Sequence, residues 1–232
     1  MDKSFVQFSQ MSLLINSTKV KKFFVIAGGR KPDAKWLKQA TNYEEIWCAD
    51  AGLDYCLDLK KKPKRVYGDF DSCSSSLQEL LQEGTIAVHA FARKKDNTDL
   101  QLLLNDIPHN SQVIITGVWG GRFDHLYANI YSLAASKKEK NLNVILADHK
   151  EIMTMLLPGE EIACDFKQQP VAISLLPLAE TNNVSISGVK WPLENKILLQ
   201  DNPYAISNEM DSSKVNISVH TGLIGCYFNF IE

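Results

Sequence analysis

Several things this sequence lacks narrow its class at once. No apolar run approaches the ~20 residues of a membrane span. The opening residues, where Gln7, Ser9, Gln10 and Ser12 interrupt the apolar positions and only Lys3 is basic, fit no secretory pattern. Excess charge is also missing: 25 Lys and Arg against 27 Asp and Glu leave a net charge of -2, with no electrostatic footprint for nucleic acid. The 5 cysteines (Cys48, Cys56, Cys73, Cys164, Cys226) are odd in number and show no C-x-x-C spacing. They suggest neither a disulfide framework nor a zinc site, and the expected compartment is the reduced cytoplasm. Neither G-x-x-x-x-G-K-[ST] nor G-x-G-x-x-G occurs, which counts against a P-loop NTPase and a dinucleotide dehydrogenase.

What is present is an ordinary globular composition, 45% hydrophobic over 232 residues, enough for one large domain or two small ones. Up to about residue 150, short apolar runs alternate with helical patterns. Runs at 22–27, 45–49, 65–67, 86–91, 112–116 and 143–147 read as strands. The stretches after them carry apolar residues at helical spacing: Trp36, Leu37 and Ala40; Leu53, Cys56 and Leu57; Leu77, Leu80 and Leu81; Leu100, Leu103 and Leu104; Leu126, Ile130 and Leu133. Pro32 suits the first turn of the first helix, and Thr98 or Asn97 looks like an N-cap. Such repetition predicts a parallel, Rossmann-like sheet with helices on its faces, over 20–150. From 151 to 232 the texture changes to short alternating segments broken by Pro-Gly, Gln-Pro and Asn-Pro turns, which predicts an all-β domain, a sandwich.

Function is expected where the strands of the first domain end. Tyr67-Gly68-Asp69-Phe70-Asp71-Ser72 places two carboxylates about one apolar residue, and in extended chain both point the same way. Their repulsion is relieved by a proton, a cationic side chain or a hard divalent ion. A strand-to-helix turn explains one such pair just as well. Ligands of parallel sheets, however, sit outside the carboxyl ends of the strands. Asp50, Asp69, Asp71, Asp96, Asp99 and Asp124 all follow strands and so share that edge, with Lys94 and Lys95 beside one loop and glycines in two. A phosphate and divalent-metal site is the reading that accounts for them together. Gly120 and Gly121, ahead of a helix, can bring backbone N–H groups to an oxyanion, and Arg122 adds a forked cation suited to phosphate.

These blocks resemble a known family. YGDFDS at 67–72, KKDNTDLQ at 94–101 and GVWGGRFDHLYAN at 117–129 look like the signature blocks of thiamin pyrophosphokinase, with Asp50-Ala51-Gly52 upstream. GVKWPL at 188–193 and Ser207-Asn208-Glu209 look like its C-terminal substrate blocks. The resemblance implies an α/β nucleotide domain joined to a β-sandwich, working as a homodimer with a shared site. It implies ATP and thiamin as substrates, thiamin diphosphate and AMP as products, and Mg2+ as cofactor. By residue it implies Asp50, Asp71 and Asp99 as catalytic, and Asp69, Asp71 and Asp99 as metal ligands. Lys95, Asp96, Thr98, Gly120, Gly121, Arg122 and Asp124 fall to the nucleotide, and Ser207, Asn208 and Trp191 to thiamin. Two alternatives use the same acidic edge: a metal-dependent phosphohydrolase, with water as acceptor, and a nucleotide-binding regulator that turns nothing over.

Overall fold

The protein is described from a computed structural model that covers residues 4–16, 21–68, 86–90 and 96–231. Asp69, Asp71, Lys95, Cys73 and the helix expected through Leu77, Leu80 and Leu81 lie outside the described residues. The described fold is mixed α/β, mostly strand, in two compact units. One unit is Val20–Leu142; the other is Asn143–Glu232 together with Met1–Lys19. The division therefore falls a few residues before the boundary expected after 150. It also gives the N-terminal residues a role that nothing in the sequence announced. They form the hairpin β1 (Ser4–Gln7) and β2 (Met11–Ile15), whose partners belong to the C-terminal unit.

In the unit Val20–Leu142 five strands, β3 (Lys21–Ile26), β4 (Glu45–Ala49), β5 (Arg65–Gly68), β6 (Ala87–Ala90) and β7 (Ser111–Thr116), are all parallel, in the order β7-β3-β4-β5-β6. Their central residues are buried on both faces, as a parallel sheet covered by helices requires: Phe24, Val25, Cys48, Val66, Val113 and Ile115 are all inaccessible. Helix α1 (Ala34–Ala40) is capped by Asp33, whose Oδ1 accepts from the Trp36 N–H at 2.9 Å. Pro32 thus precedes the cap instead of opening the helix, because the carboxylate can satisfy an N–H that proline cannot. Helix α2 (Gly52–Asp58) has no side-chain cap. It begins close against the end of β3, and only glycine fits there: a Cβ on Gly52 would lie 2.0 Å from the Ile26 carbonyl oxygen.

Helix α3 (Asp99–Asp106) opens with a capping box. Thr98 Oγ1 accepts from the Gln101 N–H, and the Gln101 side chain accepts from the Thr98 N–H at 2.8 Å. Gln101 also donates to Ser132 on α4 (Phe123–Lys140), tying the two helices together. At the other end of α3, Lys140 Nζ donates to the carbonyls of Leu104, Asn105 and Ile107, a helix C-terminus satisfied by a cation. Along α4, Leu133 is buried while Leu126 and Ile130 are half-exposed, so the apolar stripe read from sequence seals only the C-terminal half of that helix.

Among the described residues the regular elements of the other unit are all strands: β8 (Asn143–Ala147), β9 (Glu151–Leu156), β10 (Glu161–Phe166), β11 (Ala172–Pro177), β12 (Thr181–Ser187), β13 (Leu193–Leu199), β14 (Lys214–Thr221) and β15 (Ile224–Asn229), with the N-terminal hairpin. One antiparallel set runs β1-β2-β10-β14-β12-β13 and another β11-β15-β9-β8. Phe166 of β10 meets Phe228 of β15 edge to face, with ring centroids 5.6 Å apart, one of the aromatic contacts joining the two sets. Leu13, Ile162, Cys164, Val215, Ile217, Cys226 and Phe228 are all buried.

Candidate active site

Strand order alone marks a special place on the parallel sheet. The chain moves outward from β3 to β6 and then returns to β7 on the other flank of β3, so the order reverses between β3 and β7. Ligands of open α/β sheets bind outside the carboxyl ends of the strands at such a reversal. The loops Gly28-Gly29-Arg30 and Gly117–Asp124 leave the sheet there, joined by backbone hydrogen bonds. Ala27 N–H donates to Thr116 O at 2.8 Å, Gly29 N–H to Gly117 O at 2.6 Å and Arg30 N–H to Trp119 O at 2.6 Å. Gly117 has φ +71° and its Cβ would sit 2.0 Å from the Ala27 carbonyl oxygen, so the seam tolerates no side chain. A glycine pair at the end of a parallel strand, Gly28-Gly29, set against a second glycine loop, was the signal available in the sequence.

Beyond the seam Gly120 and Gly121 are exposed, with φ of +71° and +69°. Arg122 and Asp124 are exposed as well and form a forked ion pair: Arg122 Nε donates to Asp124 Oδ1 at 3.1 Å, and a second guanidinium N–H to Oδ2. The guanidinium holds the Asp124 carboxyl below its ordinary value. The expected phosphate-binding fork is therefore already engaged by a neighbour two residues away.

Asp50 follows β4 with φ +50°, exposed, its N–H donating to the Tyr67 carbonyl at 2.9 Å. That bond sets Asp50 beside the strand whose next residues are Gly68 and Asp69. Asp99, half-buried, is the first residue of α3, and Asp96 is exposed just before it. Thr98 stands between them with its hydroxyl committed to the capping box. The parallel topology thus brings Asp50, Asp96, Asp99, Gly120, Gly121, Arg122 and Asp124 to one sheet edge, while Asp69, Asp71 and Lys95 lie outside the described residues. Among the described residues no group of three or more His, Cys, Asp or Glu is placed to hold a metal ion.

The remaining candidates belong to the antiparallel unit. Gly188–Trp191 and Ser207–Ser212 lie side by side: Lys190 N–H donates to Glu209 O at 2.9 Å, and the N–H groups of Asp211 and Ser212 to Gly188 O at 3.1 Å. Asn208 exchanges backbone bonds of 2.8 Å with Ile173 on β11, and Ser207, at φ +57°, donates its N–H to Ser174 Oγ at 3.1 Å. Trp191 is 53% exposed, as are its apolar companions in this unit, Tyr204 at 52% and Ile206 at 54%. The structure brings Trp191 and Asn208 into direct contact and holds Ser207 next to them.

Two family models match this chain: "Thiamin pyrophosphokinase, catalytic domain" over residues 37–146 and "Thiamin pyrophosphokinase, vitamin B1 binding domain" over residues 160–224. The thiamine pyrophosphokinase of Bacillus subtilis is 31% identical over 205 residues, spanning 86% of this chain and 94% of that protein. This chain belongs to the thiamin pyrophosphokinase family. Solved members of the thiamin pyrophosphokinase family share its fold. The crystal structure of the Bacillus subtilis protein superposes with a TM-score of 0.78 at 27% identity, covering 91% of this chain and all (100%) of that one. The Candida albicans thiamin pyrophosphokinase gives 0.73 at 14% identity, covering 99% of each chain, a likeness of fold alone. As a thiamin pyrophosphokinase the chain is an enzyme, a kinase that transfers a pyrophosphoryl group to thiamin, and neither the phosphohydrolase nor the regulator alternative is supported. The catalytic match contains Asp50, Asp69, Asp71, Asp99 and the Gly117–Asp124 loop, and the vitamin B1 match contains Trp191, Ser207 and Asn208.

Proposed function

We propose that the chain transfers the terminal pyrophosphoryl group of ATP to the hydroxyl of thiamin, giving thiamin diphosphate and AMP, with ATP on the parallel unit and thiamin on the antiparallel one. The observation that carries this reading is the reversal of strand order between β3 and β7, where the Gly28-Gly29-Arg30 loop is seamed to the Gly117–Asp124 loop, the second of them inside the catalytic family match. We read the parallel unit as Rossmann-like and the antiparallel unit as a β-sandwich.

In this reading the hydroxyl attacks the β phosphorus and AMP leaves. Little covalent help is needed; positioning and neutralisation of charge do most of the work. Asp50, Asp71 and Asp99 act on the reacting groups, and Asp71 or Asp99 takes the hydroxyl proton. Lys95, Asp96, Thr98, Gly120 and Gly121 cradle the nucleotide. Arg122 turns its fork from Asp124 to a phosphate oxygen, Asp124 releasing it. The donor set Asp69, Asp71 and Asp99 is carboxylate oxygen throughout, which fits a hard divalent cation such as Mg2+. Those carboxylates would hold the cation, which would supply neutralisation of phosphate charge and stabilisation of the leaving group. In this reading the enzyme works in the reduced cytoplasm; Cys48, Cys56, Cys164 and Cys226 are all buried and in no disulfide.

Thiamin needs an apolar, aromatic wall for its rings while its hydroxyl reaches the β phosphorus. A second copy of the chain meets that need: a homodimer in which the acidic loops of one subunit face Trp191, Ser207 and Asn208 of the other, under two-fold symmetry. The defining experiment incubates the protein with ATP, Mg2+ and thiamin and separates the products. Thiamin diphosphate and AMP should form in equal amounts; inorganic phosphate or pyrophosphate without thiamin diphosphate would reject the reading.

A further inference from the structure

Asn208 directs two of its three side-chain hydrogen bonds to the main chain of Trp191. Its Oδ1 accepts the Trp191 N–H at 3.1 Å and the Glu209 N–H at 3.0 Å, while its Nδ2 donates to the Trp191 carbonyl at 2.7 Å. Only this orientation of the amide serves all three groups, because two partners are donors and the third is an acceptor. A cyclic amide pair of this kind fixes the main chain of Trp191 on both sides of its Cα. The backbone of Asn208 is itself fastened to β11 by the reciprocal bonds with Ile173, so the indole is referred to a regular strand instead of to a loop.

The ring is fixed from a second direction. The Lys190 ammonium lies 4.8 Å from the Trp191 ring centroid and is held by Glu209 at 3.1 Å. Lys190 therefore occupies one face of the indole, with its charge balanced by a carboxylate, leaving the opposite face for a planar ligand. A cationic ring stacking on that face gains from the indole quadrupole, whereas an unbalanced lysine would oppose it.

We propose that Asn208 is a positioning residue that acts on thiamin through Trp191, not a group that touches thiamin itself, and that Lys190 and Glu209 reserve one face of the indole for the substrate. The proposal rests on the reading that Trp191 is the aromatic wall for thiamin, and the variants separate the two. Trp191→Ala, Asn208→Ala, Asn208→Asp and the double variant Asn208→Ala/Trp191→Ala are compared by KM for thiamin, KM for ATP, kcat and thermal melting. Trp36, Trp47 and Trp119 are only 4%, 3% and 4% exposed, so acrylamide quenching of the indole emission reports Trp191 in the wild type.

Asn208→Ala should raise the thiamin KM on the order of 10-fold, the size expected for losing two hydrogen bonds, with the ATP KM unchanged. Thiamin should protect Trp191 from quenching in the wild type but not in Asn208→Ala. Asn208→Asp, which keeps both accepting bonds and loses the donated one, should fall between and controls for misfolding. The double variant should be no worse than Trp191→Ala. Additive losses in the double variant, with Trp191→Ala itself impaired, would mean that Asn208 contacts thiamin directly and overturn the proposal alone. A Trp191→Ala enzyme with normal thiamin KM would reject the aromatic wall and the proposal with it.

Discussion

The two units hold their candidate residues in opposite ways. In Val20–Leu142 the side chains hang from loops at one sheet edge, and what places them is the order and direction of the strands. In the antiparallel unit Trp191, Ser207 and Asn208 are fixed by bonds between two segments and a strand, 188–191, 207–212 and β11, far apart in sequence. The first arrangement leaves carboxylates and glycines exposed to meet a polyanion and its cation. The second is preset before any ligand arrives. A charged, hydrated ligand can be met by loops that adjust; a small ring that must stack in one orientation requires a wall whose own position is settled.

The largest effect should come from setting one arrangement against the other. Asp71→Asn removes a negative charge from the proposed metal-binding set and should lower activity at least about 100-fold while the fold survives; near-normal rates at saturating Mg2+ would reject its role. Mixed with a Ser207→Ala/Asn208→Ala variant under conditions of subunit exchange, this inactive enzyme should regain activity, approaching half of wild type per mixed dimer. One site then carries both lesions and the other none. Absence of recovery despite proven exchange would place both halves of the site in the same subunit.

Gly117→Ala probes the parallel unit by its backbone. At φ +71° an added methyl meets the Ala27 carbonyl at 2.0 Å, so both the left-handed strain and the collision must be relieved by opening the seam. The combined cost is about 3 kcal/mol, read as a lower denaturant midpoint and a raised ATP KM. An alanine variant of normal stability would show that the seam yields, and that this edge is no more rigid than the loops around it.

How far sequence reaches into each unit follows the same contrast. The parallel strands, and the placement of Asp50, Asp96, Asp99 and Asp124 after them, were legible because period and spacing are local, and the cap of α3 was narrowed to Thr98 or Asn97, of which the structure uses Thr98. The union of Gly29 with Gly117 was not, since it depends on β7 returning beside β3, which no local pattern encodes. Nor was the hairpin β1–β2, whose partner β10 lies well over a hundred residues away. Trp191 and Asn208 came only through likeness to a family. Their mutual bonds could not be read from spacing: Asn208, which the family likeness assigns to the substrate, also grips the Trp191 main chain with its amide.

The smallest expected effect concerns how the edge itself is braced. Tyr67, 1% exposed, donates its hydroxyl to Asp106 Oδ2 at 2.6 Å, and Arg65 reaches the same oxygen at 3.2 Å while its guanidinium lies 4.6 Å over the Trp47 ring. Tyr67 also stacks on His89 of β6 with centroids 4.6 Å apart. Asp106 ends the helix that Asp99 begins, and Tyr67 stands two residues before Asp69 in sequence, so this bond and the Arg65 pair together tie α3 to β5. Tyr67→Phe should cost about 1 kcal/mol, a lowering of the melting midpoint by roughly 2–4 °C for a chain of this size. Its pH dependence identifies the bond. Burial, then the hydrogen bond to Asp106, push the Tyr67 hydroxyl up from 10.0 to about 12. A proton bound more tightly in the folded state stabilises fully below the unfolded value and is lost as pH rises through the folded one. The stability gap between wild type and Tyr67→Phe should therefore hold steady up to about pH 10 and close between about pH 10 and 12, where the unfolded tyrosine ionises first. A gap that stays constant across that window would mean that the hydroxyl does not bind Asp106 in solution, and that α3 is held to β5 by the Arg65–Asp106 pair and by packing.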